Sequence, residues 1–192
     1  MKKLLFVITL FLISCSEKKY TSPHVLIDTE YGEIELELYP DKAPNTTSAF
    51  LANIDARLFN NSSFYRVVKN DNVPPEYNSG LIQGGIYNTN PTGQASIKKI
   101  LHESPKQSGL SHTSGTISMA RTTPGSATSE FFICIGDQPQ FDSSSGGNFD
   151  GLGYAAFGKV VKGMKVVREI QNKKSNGESF MAPIKINSIK KL

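Results

Sequence analysis

The chain has 192 residues, of which 38% are hydrophobic, with 21 Lys and Arg against 17 Asp and Glu and a formal net charge of +4. This length and composition are typical of one globular domain. A chain of this size buries about 70% of the surface that its unfolded form exposes, which excludes a mini-protein scaffold held by disulfides or metals. Three His and two Cys at unrelated spacings exclude a structural zinc site, and we expect no metal centre.

The first residues have the pattern of an export signal. Lys2 and Lys3 precede an apolar run over residues 4–13, which ends at Ser14-Cys15. Ten residues are too few to span a bilayer, which needs about 20, and a charged start before a short apolar run is typical of a secretory signal. The tetrapeptide at residues 12–15 resembles the lipobox of bacterial lipoproteins, whose Cys is acylated after cleavage. We therefore predict a lipoprotein signal peptide over residues 1–14 and lipidation of Cys15.

The polar residues 15–23 are predicted to form a flexible tether to a domain over residues 24–192. These features indicate a bacterial protein that is lipid-anchored at the cell envelope and faces the periplasm or the exterior. The alternative is a plain secretory peptide with an incidental Cys. Cleavage removes two lysines and lowers the net charge to +2, so we expect no nucleic-acid partner. Since Cys15 is acylated in this interpretation, Cys134 has no partner and no disulfide is expected.

Taken in chain order, the patterns predict a domain rich in β-strands. Apolar and polar residues alternate over residues 25–38 on both sides of a break at Tyr31-Gly32. This pattern predicts a β-hairpin with one solvent-exposed face. Apolar spacing predicts a helix of about 12 residues from Asn45 and a second helix over residues 162–171. Short apolar runs predict strands over residues 64–68, 81–83, 116–119, 131–135, 155–161 and 184–189. Two helices among about eight strands indicate a barrel or a sandwich with helical caps.

Two long polar stretches, over residues 69–79 and 142–153, interrupt the strands and indicate functional rims or insertions. Asp142 and Asp150 lack the spacing of a calcium loop, so a solvated turn is the favoured interpretation. The absence of a Gly-x-Ser-x-Gly motif argues against a hydrolase. No carboxylate is paired with His112 in the sequence, and we interpret this residue as a hydrogen-bonded packing residue.

Five sequence blocks, in order, resemble the cyclophilin family of peptidyl-prolyl cis-trans isomerases. They lie at residues 64–68 (FYRVV), 81–85 (LIQGG), 115–121 (GTISMAR), 126–134 (SATSEFFIC) and 153–160 (GYAAFGKV). The likeness extends from about His24 to Leu192. It implies a mainly β fold, an eight-stranded antiparallel barrel capped by two α-helices, which agrees with the independent count of elements. It also implies isomerase activity on proline-containing polypeptide substrates, without a cofactor.

The resemblance also implies roles for individual residues. Arg66 matches the catalytic arginine of the family, Gln83 its substrate-binding glutamine and Phe132 the floor of its proline pocket. The other substrate-binding positions that it implies are Leu81, Ala120, Arg121, Glu130, Phe141 and Tyr154. Tyr154 replaces the His of many eukaryotic members, as in bacterial cyclophilins.

Strand alternation gives a separate argument for a pocket. It places Phe64, Arg66 and Val68 on one face of a strand, and Glu130, Phe132 and Cys134 on one face of another. A guanidinium, a carboxylate and an aromatic ring can then share one surface. We therefore expect Glu130 beside Arg66, with the pKa of the carboxyl well below its usual value of about 4.3.

Several positions depart from the family pattern. Leu81 stands where Met is usual, Arg121 where many members have Asn and Glu130 where Gln is expected. The stretch over residues 69–79 displaces the pocket Phe that usually precedes the Met position. The alternative to an active isomerase is therefore a catalytically weak or inactive binding module of the same fold. We expect a monomer in either case.

Overall fold

The computed structural model describes residues 20–144 and 150–192. The predicted signal peptide over residues 1–14, the lipidation site Cys15 and the first part of the predicted tether lie outside these ranges. Within them, no helix has the length and apolar character needed to cross a membrane.

Eight antiparallel strands close into a barrel. In chain order the described residues form β1 (His24–Thr29), β2 (Gly32–Leu38), β3 (Ser62–Val68), β4 (Gly80–Gly85), β5 (Thr116–Met119), β6 (Phe131–Ile135), β7 (Ala155–Lys162), β8 (Ser175–Asn176) and β9 (Ser179–Lys191). Around the barrel the order is β1-β2-β7-β5-β6-β4-β3-β9, and β9 pairs back with β1. The two-residue β8 pairs only with the start of β9. Closure satisfies the strand edges, and the expected fold class is confirmed.

Among the described residues, four α-helices lie between the strands. They are α1 (Pro44–Asp55), α2 (Pro91–Ser96), α3 (Pro105–Ser108) and α4 (Met164–Gln171). The helices α1 and α4 are the two that the sequence predicts, whereas α2 and α3 are too short to show an apolar period. The carboxylate of Glu103 accepts hydrogen bonds from the backbone N–H groups of Asn45 and Thr46 and so caps the start of α1.

Phenylalanine rings pack the barrel interior and hold the strands that carry the site. The ring of Phe50, on α1, lies 5.2, 5.6 and 5.0 Å from those of Phe59, Phe131 and Phe157. Phe64 of β3 meets Phe131 of β6 edge to face at 5.8 Å. Full burial of one such side chain stabilises a fold by roughly 1.5–3 kcal/mol. The two strands are therefore joined through the core as well as through β4.

A β-bulge in β3 changes which side chains face outward. Against β4, Phe64 pairs with Gly84 and Arg66 with Gln83, which leaves Tyr65 as the extra residue of β3. The register against β9 also shifts at this point. Phe64 is fully buried in the core, whereas Arg66 and Val68 line the opposite face. The prediction that Phe64 and Arg66 share a face is therefore wrong, because the inserted residue reverses the alternation at this point.

Candidate active site

A groove with a volume of about 880 Å³ crosses β3, β4 and β6 on the face opposite the core. Its lining includes all nine residues that the sequence proposes for catalysis and substrate binding: Arg66, Leu81, Gln83, Ala120, Arg121, Glu130, Phe132, Phe141 and Tyr154. The groove has two parts, an apolar cup and a polar rim. The fold therefore brings the predicted residues together from six separate segments of the chain.

Three aromatic rings form the apolar cup. Phe132 is its floor, with the rings of Phe141 and Tyr154 at 5.3 and 5.5 Å and nearly perpendicular to it. Phe141 and Tyr154 also meet edge to face, at 5.4 Å. Leu81 and the partly buried Val68 and Ala120 belong to the same apolar cluster. A cup of this size and lining suits a small apolar ring.

Gly80 explains why the cup has no phenylalanine before Leu81. Gly80 has a φ of +136°, and a Cβ atom there would lie 2.0 Å from the carbonyl oxygen of Val68. No side chain fits in this backbone, so the residue before Leu81 cannot line the cup. Val68 packs against the cup instead. Val68 therefore takes the place of the displaced pocket phenylalanine, for which the sequence alone suggested no residue.

A buried hydrogen-bonded chain supports the floor from below. The ring of His112 stacks on that of Phe132 with centroids 5.9 Å apart and planes 14° from parallel. Its Nδ1 lies 2.7 Å from Oδ1 of Asp142, and its Nε2 lies 3.0 Å from Oγ of Ser118. Burial lowers the pKa of His112, although Asp142 acts in the opposite direction. Ser118 is fully buried, so this Ser-His-Asp set has no access to a substrate and supports the packing of Phe132.

Arg66 lies on the polar rim, held from two sides. Its Nη1 donates to Oε1 of Gln83 at 2.7 Å. Its Nε and Nη2 both donate to Oε2 of Glu178, at 2.9 and 2.6 Å. A guanidinium has five N–H groups. Within the described part of the chain these bonds use three of them, which leaves one N–H on each terminal nitrogen for a bound molecule.

Glu130 does not pair with Arg66, so the expected contact is wrong. Its Oε2 accepts from the hydroxyl of Tyr65 at 2.8 Å, and its Oε1 accepts from the N–H groups of Ile86 and Tyr87. Burial raises the pKa of Glu130, with the hydrogen bonds acting in the opposite direction. Because the Arg66 guanidinium does not pair with this carboxylate, the expected lowering of its pKa is wrong as well. Burial and the nearby Glu130 raise the pKa of Tyr65 in turn.

Arg121 lines the groove, but its guanidinium is directed into the loop that follows β6. Nη1 and Nη2 donate to the two carboxylate oxygens of Asp150 at 2.6 and 2.8 Å, and Nη2 also donates to the carbonyl of Gly153 at 2.7 Å. The guanidinium lies 5.2 Å from the centre of the Tyr154 ring. Its hydrogen bonds lower the pKa of Asp150 to about 2. The side chain of Arg121 is only 3% exposed and therefore braces the cup instead of reaching into the groove.

The groove residues that the sequence did not propose include three whose side chains contact the proposed ones: Tyr65, Val68 and Glu178. Tyr65 and Val68 lie within a recognised block, but the bulge that sets their directions leaves no mark in the apolar pattern. Glu178 is 112 residues from Arg66 in the chain. The pair Asn176-Gly177 before it is typical of a hairpin turn and predicts the turn but not its neighbour across the barrel.

The described ranges contain neither a metal-binding cluster nor a reactive thiol. There, no group of three or more His, Cys, Asp or Glu side chains is placed to hold a metal ion. Cys134 is a free thiol buried below the apolar cup, and burial raises its pKa. It is therefore a packing residue with little thiolate character.

Comparison with known proteins identifies the family to which the chain belongs. The family model described as "Cyclophilin type peptidyl-prolyl cis-trans isomerase/CLD" matches residues 24–191. The chain belongs to the cyclophilin family. The match covers the whole barrel, so the cyclophilin domain accounts for all of the described secondary structure.

Relatives of this cyclophilin are named for one activity. A peptidyl-prolyl cis-trans isomerase of Acinetobacter baylyi is 40% identical over 149 residues, which are 77% of this chain and 71% of the relative. Peptidyl-prolyl cis-trans isomerase B of Escherichia coli is 37% identical over 148 residues, 77% of this chain and 83% of the relative. A crystal structure of a Cryptosporidium parvum cyclophilin type isomerase has a TM-score of 0.68 at 24% identity and covers 88% of this chain and 97% of that one.

Proposed function

We propose that this cyclophilin catalyses rotation about X-Pro bonds in polypeptides, with Arg66 as the catalytic residue. The observation that carries the proposal is the position of Arg66 in the same groove as the apolar cup, with two N–H groups left for a substrate. Phe132, Phe141 and Tyr154 hold the proline ring, and Gln83 contacts the flanking peptide. A related structure, 25% identical with a TM-score of 0.66, was obtained in the presence of the dipeptide Ala-Pro.

The chemistry requires no bond to break. Rotation about a peptide bond removes amide resonance and has a barrier of about 18–20 kcal/mol. In the twisted transition state the prolyl nitrogen regains a localised lone pair. A guanidinium fixed beside that nitrogen stabilises the twisted state more than either planar state, which is the condition for catalysis. No proton is transferred and no cofactor takes part.

The alternative of a binding module without turnover receives less support. Arg66 retains free N–H groups, Gln83 is in contact with it, and Phe132 forms the floor of a complete cup. Glu130, which stands where the family has Gln, does not form a direct ion pair with Arg66. The stretch over residues 69–79 lies between β3 and β4 and leaves the cup lined by Val68.

The test of the catalytic role is Arg66→Ala. Removal of one preorganised donor typically costs about a hundredfold to a thousandfold in rate, and we expect a loss of kcat/KM in that range. Phe132→Ala should lose activity partly through a higher KM, because the ring contacts substrate in ground and transition states alike. NMR exchange spectroscopy on a short X-Pro peptide measures both. Arg168→Ala, on α4 and outside the groove, is the control, and retention of more than about a third of activity by Arg66→Ala contradicts the proposal.

We further propose that the isomerase is a lipoprotein of the bacterial cell envelope that assists the folding of envelope or secreted proteins. The support is the pattern over residues 1–15, with two lysines, a short apolar run and Cys15. The described domain begins with β1 at His24. Residues 15–23 then separate the acylated Cys15 from the barrel as a tether.

A further inference from the structure

We propose that Tyr65 and Glu130 are positioning residues, which fix the orientation of the Gln83 amide and, through it, that of Arg66. Their function is to keep the carbonyl oxygen of Gln83 directed at the guanidinium. The inference rests on the catalytic role proposed for Arg66. It concerns two residues that lie at the base of the groove and contribute no atom to the reacting bond.

Four side chains form a continuous hydrogen-bonded relay. Nη1 of Arg66 donates to Oε1 of Gln83 at 2.7 Å, and Nε2 of Gln83 donates to Oη of Tyr65 at 2.9 Å. The hydroxyl of Tyr65 donates to Oε2 of Glu130 at 2.8 Å. The relay runs from the exposed rim to a carboxylate that is 8% exposed. It joins β3, β4 and the segment before β6.

The donor and acceptor roles in this relay have one consistent direction. Arg66 can only donate, so Gln83 must present its oxygen to Arg66 and its NH₂ group to Tyr65. Tyr65 then accepts from Gln83 and must donate its own proton elsewhere. Only an acceptor can take that proton, and an ionised carboxylate is an acceptor alone. Arg66 and Glu130, at the two ends of the relay, therefore fix the direction of every bond between them.

Glu130 is itself held in one orientation. Its Oε1 accepts from the N–H groups of Ile86 and Tyr87 at 2.9 and 3.0 Å, and from the hydroxyl of Ser129 at 3.0 Å. These three donors and Tyr65 all point at the carboxylate, which is the pattern of an ionised group. Because Oε1 is engaged by backbone donors, the carboxylate cannot turn, and Oε2 stays directed at Tyr65.

Glu130→Gln should reverse the relay without changing its shape. The oxygen of the new amide stays with the N–H groups of Ile86 and Tyr87, so its NH₂ group faces Tyr65. Tyr65 then accepts from residue 130 and turns its own proton toward Gln83. That proton is accepted only when Gln83 turns its amide oxygen toward Tyr65, and the NH₂ group of Gln83 then faces Arg66. The NH₂ group of Gln83 and the guanidinium of Arg66 are both donors, so the hydrogen bond between them is lost. The guanidinium is then held by Glu178 alone.

The experiment is a double-mutant cycle with Glu130→Gln and Tyr65→Phe, measured on an X-Pro peptide by NMR exchange. Each single variant should lower kcat/KM about threefold to tenfold, mainly in kcat, since each disturbs about one hydrogen bond at Arg66. The double variant should be no slower than the slower single variant, because Glu130 acts only through Tyr65. Tyr39→Phe is the control, since it removes a tyrosine hydroxyl that donates to the carboxylate of Glu37 outside the groove and should leave kcat unchanged.

A second readout follows the Gln83 amide directly and does not depend on turnover. In the wild type the amide protons of Gln83 should show nuclear Overhauser contacts to the Tyr65 ring, and Glu130→Gln should weaken them. Additive effects in the cycle, or Gln83 contacts that persist unchanged in Glu130→Gln, would overturn the inference. Wild-type activity in Arg66→Ala would instead refute the catalytic role, while the NMR result still decides how the amide is oriented.

Discussion

At the scale of single residues, the exposed ion pair between Arg66 and Glu178 sets the rim of the groove. The side chain of Arg66 is 38% exposed and that of Glu178 is 59% exposed. Such exposed pairs contribute little to folding stability, about 0–1 kcal/mol. Two donors of one guanidinium meet the same carboxylate oxygen, however, so the contact restricts rotation of the Arg66 side chain. The ion pair therefore orients the Arg66 side chain and holds its free N–H groups at the rim of the groove.

Glu178→Ala should slow the isomerase without unfolding it. Loss of the acceptor for Nε and Nη2 leaves only Gln83 to orient Arg66, and we expect kcat/KM to fall about threefold to tenfold. Glu178→Gln keeps an acceptor oxygen and should retain most of the activity. Glu169→Ala is the control, since Glu169 also forms an exposed ion pair, with Lys173, but lies outside the groove. A rate in Glu178→Ala equal to or above that of the wild type contradicts the orienting role.

At the scale of elements, the loop after β6 forms one wall of the cup and is braced by Arg121. The backbone N–H of Tyr154 donates to the carbonyl of Phe141 at 2.9 Å, which ties the two aromatic walls together. Arg121 adds Asp150 and Gly153 to the same unit. Since the pKa of Asp150 is lowered to about 2, its carboxylate stays charged in mild acid, where an ordinary Asp begins to protonate. Mild acid should therefore leave this bracing intact.

Asp150→Asn should loosen this wall. The variant keeps the carbonyl contact of Arg121 but loses the paired charge, so Phe141 and Tyr154 should hold the proline ring less firmly. We expect KM for an X-Pro peptide to rise about threefold with a smaller change in kcat, because the wall contacts ground and transition states alike. Asp55→Asn removes a carboxylate paired with Lys191 outside the groove and is the control. An unchanged KM in Asp150→Asn would show that the wall does not need this ion pair.

At the scale of the whole molecule, local periodicity was enough to predict most of the barrel. The hairpin before Leu38, the helix after Pro44 and the eight strands of the barrel were predicted, because an apolar face or a short apolar run marks each of them in the sequence. The two-residue β8 was not predicted. The bulge at Tyr65 was missed because one extra residue leaves no periodic signal. The contacts that orient the site were missed because their partners are far apart in the chain, 65 residues for Tyr65 and Glu130.

The proposed membrane attachment also belongs to the scale of the whole molecule and has its own test. Cys15→Ala should give soluble protein or uncleaved precursor in place of a detergent-extractable lipoprotein, because the acylated sulfur is lost. Mass spectrometry of the N-terminal peptide and detergent partitioning measure the two outcomes. The purified domain should keep its isomerase activity, since the groove lies wholly within the barrel. A wild-type chain that is soluble and unlipidated in its own host contradicts the anchor.

The way in which β1 closes the barrel has a mechanical consequence. β1 pairs along its length with β2 and β9, and the N–H of Leu192 donates to the carbonyl of His24 at 3.0 Å. Tension that reaches the domain through its N-terminus acts along this strand. The hydrogen bonds on both of its edges must then shear together, instead of opening one after another as at a free edge. The barrel would therefore resist a client chain that pulls on the groove against the anchor proposed at Cys15.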